Sequence, residues 1–92
     1  MDEGAILHEL GGRIRAQRKR IGLTQDQLAL VADVDRSYYG AVERGERNVS
    51  LVNIWRIADA LEVPPSFLFA DIRHATSLDD LPATKRGAER GR

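Results

Sequence analysis

The side chains best equipped for chemistry in this sequence are guanidinium groups. Eight basic residues fall between positions 13 and 47: Arg13, Arg15, Arg18, Lys19, Arg20, Arg36, Arg44 and Arg47. Asp26, Asp33, Asp35, Glu43 and Glu46 share that span, which leaves a local excess of three positive charges in a chain of zero net charge. Such an excess suits an anionic partner such as nucleic acid, and it equally suits a solvated helical surface. Catalytic chemistry finds little footing. The histidines, His8 and His74, stand far apart and no cysteine exists to join them on a metal. Serine, histidine and aspartate occur without a nucleophile motif. Gly11-Gly12 lies in a helical pattern and lacks the lysine and spacing of a phosphate-cradling loop. The expectation is a chain with no catalytic residues, no metal and no cofactor, in which His8 is an ordinary surface residue.

The elements that position these charges read as helices throughout. Ile6, Leu7, Leu10, Ile14 and Ile21 recur near helical spacing and predict a first helix over about 4–21. Gly11 and Gly12 weaken it by roughly 1 kcal/mol each relative to alanine, so the turn before Gly12 is a candidate for fraying. Gly22 supplies a left-handed stop. Thr24-Gln25-Asp26-Gln27 has the form of a capping box, and Leu28, Ala29 and Ala32 give the short helix behind it an inner face. Ala32-Asp33-Val34 is the turn, with Asp33 tolerating a left-handed backbone. Asp35 caps a third helix through about residue 44, which Gly45 ends. Ser50 caps a fourth helix whose apolar face comprises Leu51, Ile54, Trp55, Ile57, Ala58 and Leu61. Pro64-Pro65 opens a short fifth helix over 66–70. No alternating strand pattern occurs, so the expected class is all-α.

Ninety-two residues, 42% of them hydrophobic, suffice for one domain with a core that gains from dimerisation. Residues 1–70 form the expected domain and 71–92 a flexible tail, basic at its end, on which Leu78 and Leu81 are candidates to dock on the body. The absence of cysteine is compatible with a reducing cytoplasm. Met1-Asp2-Glu3 is acidic where a secretory signal is basic, and the longest strictly apolar run, Leu28 to Ala32, cannot cross a bilayer. A cytoplasmic protein without a membrane partner is expected.

The stretch from Thr24 to Ser50 is the most informative. Two short helices joined by a tight turn make a helix-turn-helix, which needs a small residue where the helices touch (Ala29) and apolar residues from the second helix in the core (Tyr39, Val42). Over about residues 6–70 the sequence resembles the Cro/repressor-type, or XRE, helix-turn-helix family. The matching text is Leu23-Thr24-Gln25-Asp26-Gln27-Leu28-Ala29, Asp35-Arg36-Ser37-Tyr38-Tyr39, Val42-Glu43-Arg44-Gly45-Glu46-Arg47-Asn48, Ser50-Leu51, and Ile57-Ala58-Asp59-Ala60-Leu61-Glu62-Val63. The Asp-Arg-Ser-Tyr and Glu-Arg-Gly-Glu-Arg-Asn segments look most like controller proteins of restriction-modification systems.

The resemblance implies a five-helix, lambda-repressor-like domain whose third helix enters the major groove of double-stranded DNA. At that helix's N-terminal end, Arg36 can bond bidentately to guanine, Ser37 can specify weakly, Tyr38 can reach a phosphate or a thymine methyl, and Ala41 can touch a thymine methyl. The alternative for Arg36 is a solvated surface charge. The family position of Gln25 commonly binds a phosphate, helped by the helix dipole. Arg44, Arg47 and Asn48 look like phosphate clamps, although Asn48 suits a turn before the fourth helix equally well. The family pairs an arginine late in its first helix with a glutamate late in its third, which implies an internal Arg18–Glu43 ion pair. Gly40, inside the third helix, admits either a close approach of the DNA strand or no function. For the dimer, Trp55, Val63 and Phe67 are the expected interface, and Phe69 is placed in the core. The resulting expectation is a dimeric, nucleoid-associated regulator of a bacterial promoter with a candidate contact to RNA polymerase. Two other readings remain: an antitoxin of this fold that binds a toxin protein and represses its own operon, and an interaction module that no longer reads DNA.

Overall fold

A computed structural model describes residues 2–72. Five helices follow in order: α1 (Glu3–Arg20), α2 (Gln25–Ala32), α3 (Arg36–Glu43), α4 (Leu51–Ala60) and α5 (Pro65–Phe69), with no strand among the described residues. The expected all-α class and helix order are those observed. The tail positions beyond 72, including Leu78 and Leu81, lie outside the described residues.

Each of the first four helices begins where a side chain satisfies a free N–H group. Asp2 accepts from the Ala5 N–H at 3.0 Å. Thr24 and Gln27 close a reciprocal capping box, at 3.1 and 2.9 Å. Asp35 accepts from the Tyr38 N–H and Ser50 from the Asn53 N–H. Pro65 occupies the first turn of α5. Between α2 and α3, Asp33 takes a left-handed conformation with φ of 59°, which folds one helix sharply onto the next.

The core gathers one stripe from every helix. Ile14, Leu28, Tyr39, Ile57, Ala58, Leu61 and Leu68 are sealed completely, with Leu10, Ala29, Ala32, Val42 and Ile54 around them. α1 packs on α3 and α5, α2 packs on α3 and α4, and α4 packs on α5. Two expectations need correction. The buried face of α4 is narrower than expected, because Leu51 and Trp55 point outwards and are 68% and 53% exposed. On α5, Leu68 fills the core position and Phe69 is 45% exposed, since five residues make little more than one turn and present only one side to the body.

Helix α1 runs without interruption through Gly11-Gly12. A Cβ on Gly11 would lie 2.4 Å from the Val42 carbonyl oxygen and 2.5 Å from that of Glu43, so α1 meets the end of α3 backbone to backbone. Gly12 faces open space. Gly45 combines both demands of glycine: its φ is +75°, and a Cβ there would lie 2.6 Å from the His8 Cα. These contacts set the spacing between α1 and the loop after α3.

A buried ion pair sets the angle. Arg18 Nε donates to Glu43 Oε2 at 2.6 Å and Nη2 to Oε1 at 3.0 Å, while Nη1 donates to the Leu23 carbonyl at 2.9 Å. Gln25 Nε2 adds a 2.9 Å bond to the same carboxylate. Burial works to raise the Glu43 pKa, but the Arg18 hydrogen bonds, the neighbouring Tyr39 hydroxyl and the Gln25 amide together hold it below the usual value. The Tyr39 hydroxyl favours the charge by proximity, without a hydrogen bond of full geometry. Burial, and then the carboxylate beside it, raise the pKa of Tyr39 itself.

Two outcomes follow from these contacts. Gly11→Ala should destabilise the domain by about 1–3 kcal/mol through overpacking, whereas Gly12→Ala should stabilise it by up to about 1 kcal/mol. Urea unfolding of both variants checks this, and equal effects would contradict the backbone contact. Because the Glu43 pKa is lowered on folding, its contribution is complete above the ordinary glutamate value of 4.5 and is lost as pH falls through the folded value. Glu43→Gln should therefore cost about 3 kcal/mol near neutral pH, by leaving Arg18 unpaired. Below the folded value, the parent protein has lost the same carboxylate and the gap should close. A gap that stays constant with pH would show that the charge is not what stabilises the protein.

Candidate nucleic-acid interface

The residues singled out from sequence lie on the start of α2, on α3 and on the loop leading to α4. Arg36 and Ser37 occupy the exposed first turn of α3, and Arg44, Arg47 and Asn48 are exposed beyond its end. Ala41 and Tyr38 are half-buried. Helix α3 contributes Tyr39, Val42 and Glu43 to the interior, so its opposite side is left to meet a partner.

Three of the named side chains converge on one spot. A Cβ on Gly40 would lie 2.8 Å from Arg36 Nη1, 3.3 Å from Arg44 Nη1 and 3.7 Å from Gln25 Oε1. The missing side chain of Gly40 is thus the floor on which two guanidinium groups and an amide meet. Each cation also has a partner from this chain. Arg36 is paired with Asp26 of α2, and Arg44 Nε bonds Glu46 at 3.0 Å. The Arg47 guanidinium stacks over the Tyr38 ring, 5.0 Å from its centroid. Tyr38 is held in turn, because its hydroxyl accepts from Asn53 Nδ2 at 3.2 Å. The exposed ion pairs are each worth at most about 1 kcal/mol, so a phosphate or a base edge can compete for these cations.

Asn48 lies apart from this group, bordering a groove with Glu3, Ile6 and Leu7 of α1, and the α4 cap belongs to Ser50. Two further candidates were missed from sequence. His8 and Arg15 of α1 line a groove together with Gln25, Glu43 and Arg44. Their spacing of seven residues, two helical turns, carried the signal, but this face of α1 had no assigned role. Among the residues named for a dimer interface, Trp55 is 53% exposed, Phe67 is 43% exposed and Val63 packs partly against the core. Leu51 and Val52 extend the exposed apolar side of α4, and Leu30 and Val31 are exposed on α2. Among the described residues no His, Asp and Glu cluster could hold a metal ion, and no helix is long and apolar enough to cross a membrane.

Comparison with known proteins places the chain in a family. A family profile described as "Helix-turn-helix" matches residues 14–68. The control protein C.MunI of Mycoplasma sp is 43% identical over 63 residues, 67% of this chain and 85% of that protein. The control protein C.BamHI of Bacillus amyloliquefaciens is 42% identical over 59 residues, 63% of this chain and 73% of that one. The crystal structure of the restriction-modification controller protein C.AhdI from Aeromonas hydrophila superposes with a TM-score of 0.70 at 52% identity, covering 71% of this chain and 98% of that chain. These similarities favour a regulator over an antitoxin, and the family is one of DNA-binding regulators, not of enzymes. The chain belongs to the helix-turn-helix family of transcriptional regulators and is closely related to the restriction-modification controllers within it.

Proposed function

We propose that this chain is the controller of a restriction-modification operon, binding a pseudo-palindromic operator as a homodimer at the bacterial nucleoid in the cytoplasm. The observation that carries the reading is the convergence of Arg36, Arg44 and Gln25 over Gly40, on the free side of a helix clasped from behind by Arg18 and Glu43. Arg36 and Ser37 read base edges at the groove-facing end of α3, with Ala41 one turn on against a thymine methyl. Tyr38, fixed by Asn53, offers its ring edge to the DNA. Gln25, Arg44, Arg47 and Asn48 bind phosphates and set the register, and His8 and Arg15 extend that phosphate-binding surface along α1. Trp55, Val63 and Phe67 form the two-fold contact, which spaces the two α3 helices by one DNA turn. Where the operator falls relative to RNA polymerase then decides whether binding activates or represses.

Selection from a random duplex library tests the proposal. The expected winner is a pseudo-palindrome with half-site centres about 10–10.5 base pairs apart. Arg36→Ala should lose about 1–3 kcal/mol of discrimination at one guanine-containing position per half-site, while Arg47→Ala should weaken binding to all sequences alike. Arg44 and Arg47 of two subunits should together contribute about −3.6 to the log–log salt slope. No enriched sequence, with only weak salt-sensitive binding, would overturn the proposal and point to a protein partner.

A further inference from the structure

We infer that Tyr38 and Asn53 are positioning residues for Arg47: before any DNA arrives, they hold its guanidinium in the pose in which it meets a phosphate. The inference rests on the reading of Arg47 as a phosphate contact. The Arg47 guanidinium lies over the Tyr38 ring, 5.0 Å from its centroid. Tyr38 is anchored at both ends. Its backbone N–H donates to the Asp35 carboxylate at 2.9 Å, and its hydroxyl accepts from Asn53 Nδ2 at 3.2 Å. Its body packs partly against the core. Asn53 is fixed in turn, because its own N–H donates to Ser50 Oγ at 3.1 Å in the first turn of α4. An exposed arginine in the loop after α3 thus rests on a platform built from two helices.

Arg47 is held differently from the other two exposed cations of this surface. Arg36 and Arg44 each face a carboxylate. Among the described residues no carboxylate pairs with Arg47. A ring face attracts the cation and accepts none of its N–H donors in a conventional hydrogen bond. Arg47 therefore keeps its full charge and its whole fork for a phosphate. The stacking persists when the phosphate arrives, so its energy largely cancels from the binding step. What remains is a population. The apparent dissociation constant is the intrinsic one divided by the fraction of molecules already in the competent pose. An exposed cation–π contact raises that fraction by about two- to fivefold, which bounds the gain per subunit. Phosphates line every duplex, so the gain applies to operator and non-operator DNA alike.

The test combines NMR with fluorescence anisotropy against a scrambled duplex, which offers phosphates but no operator bases. In the free protein the Arg47 side-chain methylene protons should be shifted upfield by the Tyr38 ring, and the shift should persist on the duplex. Tyr38→Leu should abolish it, and Asn53→Ala should reduce it, because an untethered ring turns more freely. Tyr38→Leu should weaken binding by about two- to fivefold per subunit. Asn53→Ala should fall between Tyr38→Leu and the parent, with urea unfolding checking that both variants are folded. The log–log salt slope should stay the same in Tyr38→Leu, because the phosphate contact still forms. Arg47→Ala should instead lower its magnitude by about 0.9 per subunit. In an Arg47→Ala background neither platform substitution should weaken binding further. Disappearance of the upfield shift on the duplex would overturn the inference, since the bound pose would then differ from the free one. An undiminished Tyr38→Leu loss in the Arg47→Ala background would also overturn it, because Tyr38 would then act without Arg47. If Arg47→Ala changes neither affinity nor slope, the reading of Arg47 as a phosphate contact has itself failed. Weaker binding in Arg47→Ala with parental binding in Tyr38→Leu sinks only the platform.

Discussion

Arg18 and Glu43 meet in a two-pronged contact with almost no solvent access, their side chains 9% and 2% exposed, and three helices take their positions from it. A buried carboxylate and a buried guanidinium each lose substantial hydration, and only good geometry with further hydrogen bonds compensates. Both conditions are met here. The Arg18 fork bonds both carboxylate oxygens, and its remaining nitrogen bonds the Leu23 carbonyl in the turn before α2. Gln25, the first residue of α2, completes the shell of Glu43. One pair therefore ties the end of α1 to the end of α3 and to the start of α2. Misplacing any of the three leaves a charge unpaired in the interior, so the arrangement has few competitors of similar energy.

That internal network also organises the outer surface. Gln25 spends its amide nitrogen on Glu43 and turns its oxygen towards Gly40, where Arg36 and Arg44 arrive from either side along α3. The exposed cations proposed to meet DNA are thus assembled on a helix whose back is immobilised, while their own partners, Asp26 and Glu46, are exposed and easily exchanged. Strong bonds hold the frame and weak ones hold the exposed cations. This division of strength is what a surface needs if it is to trade internal partners for base edges and phosphates without refolding.

Much of this was legible in the sequence because local chemistry and tertiary packing agree. The Thr24–Gln27 box, the Asp35 and Ser50 caps and the left-handed residue at Asp33 are decided within four or five residues, and each lies where a helix begins or ends. What was not legible depends on pairs distant in the chain. Gly11 reads as a weak point of α1 until the carbonyls of Val42 and Glu43 are placed against it. Trp55 and Leu51 fit an apolar stripe by spacing, but the core fills before reaching them. Phe69 is expected in the core from sequence, whereas Leu68 occupies the single inward position that so short a helix offers. His8 and Arg15 needed the fold to bring α1 beside Gln25 and Arg44.

The central claim, that an α3 helix held from behind by the Arg18–Glu43 pair presents its free side to DNA, is tested most directly by amide NMR of the protein titrated with its selected operator duplex. The largest shift changes should fall at Gln25, over Arg36 to Tyr38 and over Arg44 to Asn48. Glu43 and the interior around Tyr39 should keep their signals, as in a frame that does not rearrange. Changes confined to Leu51, Val52 and Trp55 on the exposed apolar side of α4, with α3 undisturbed, would contradict the account.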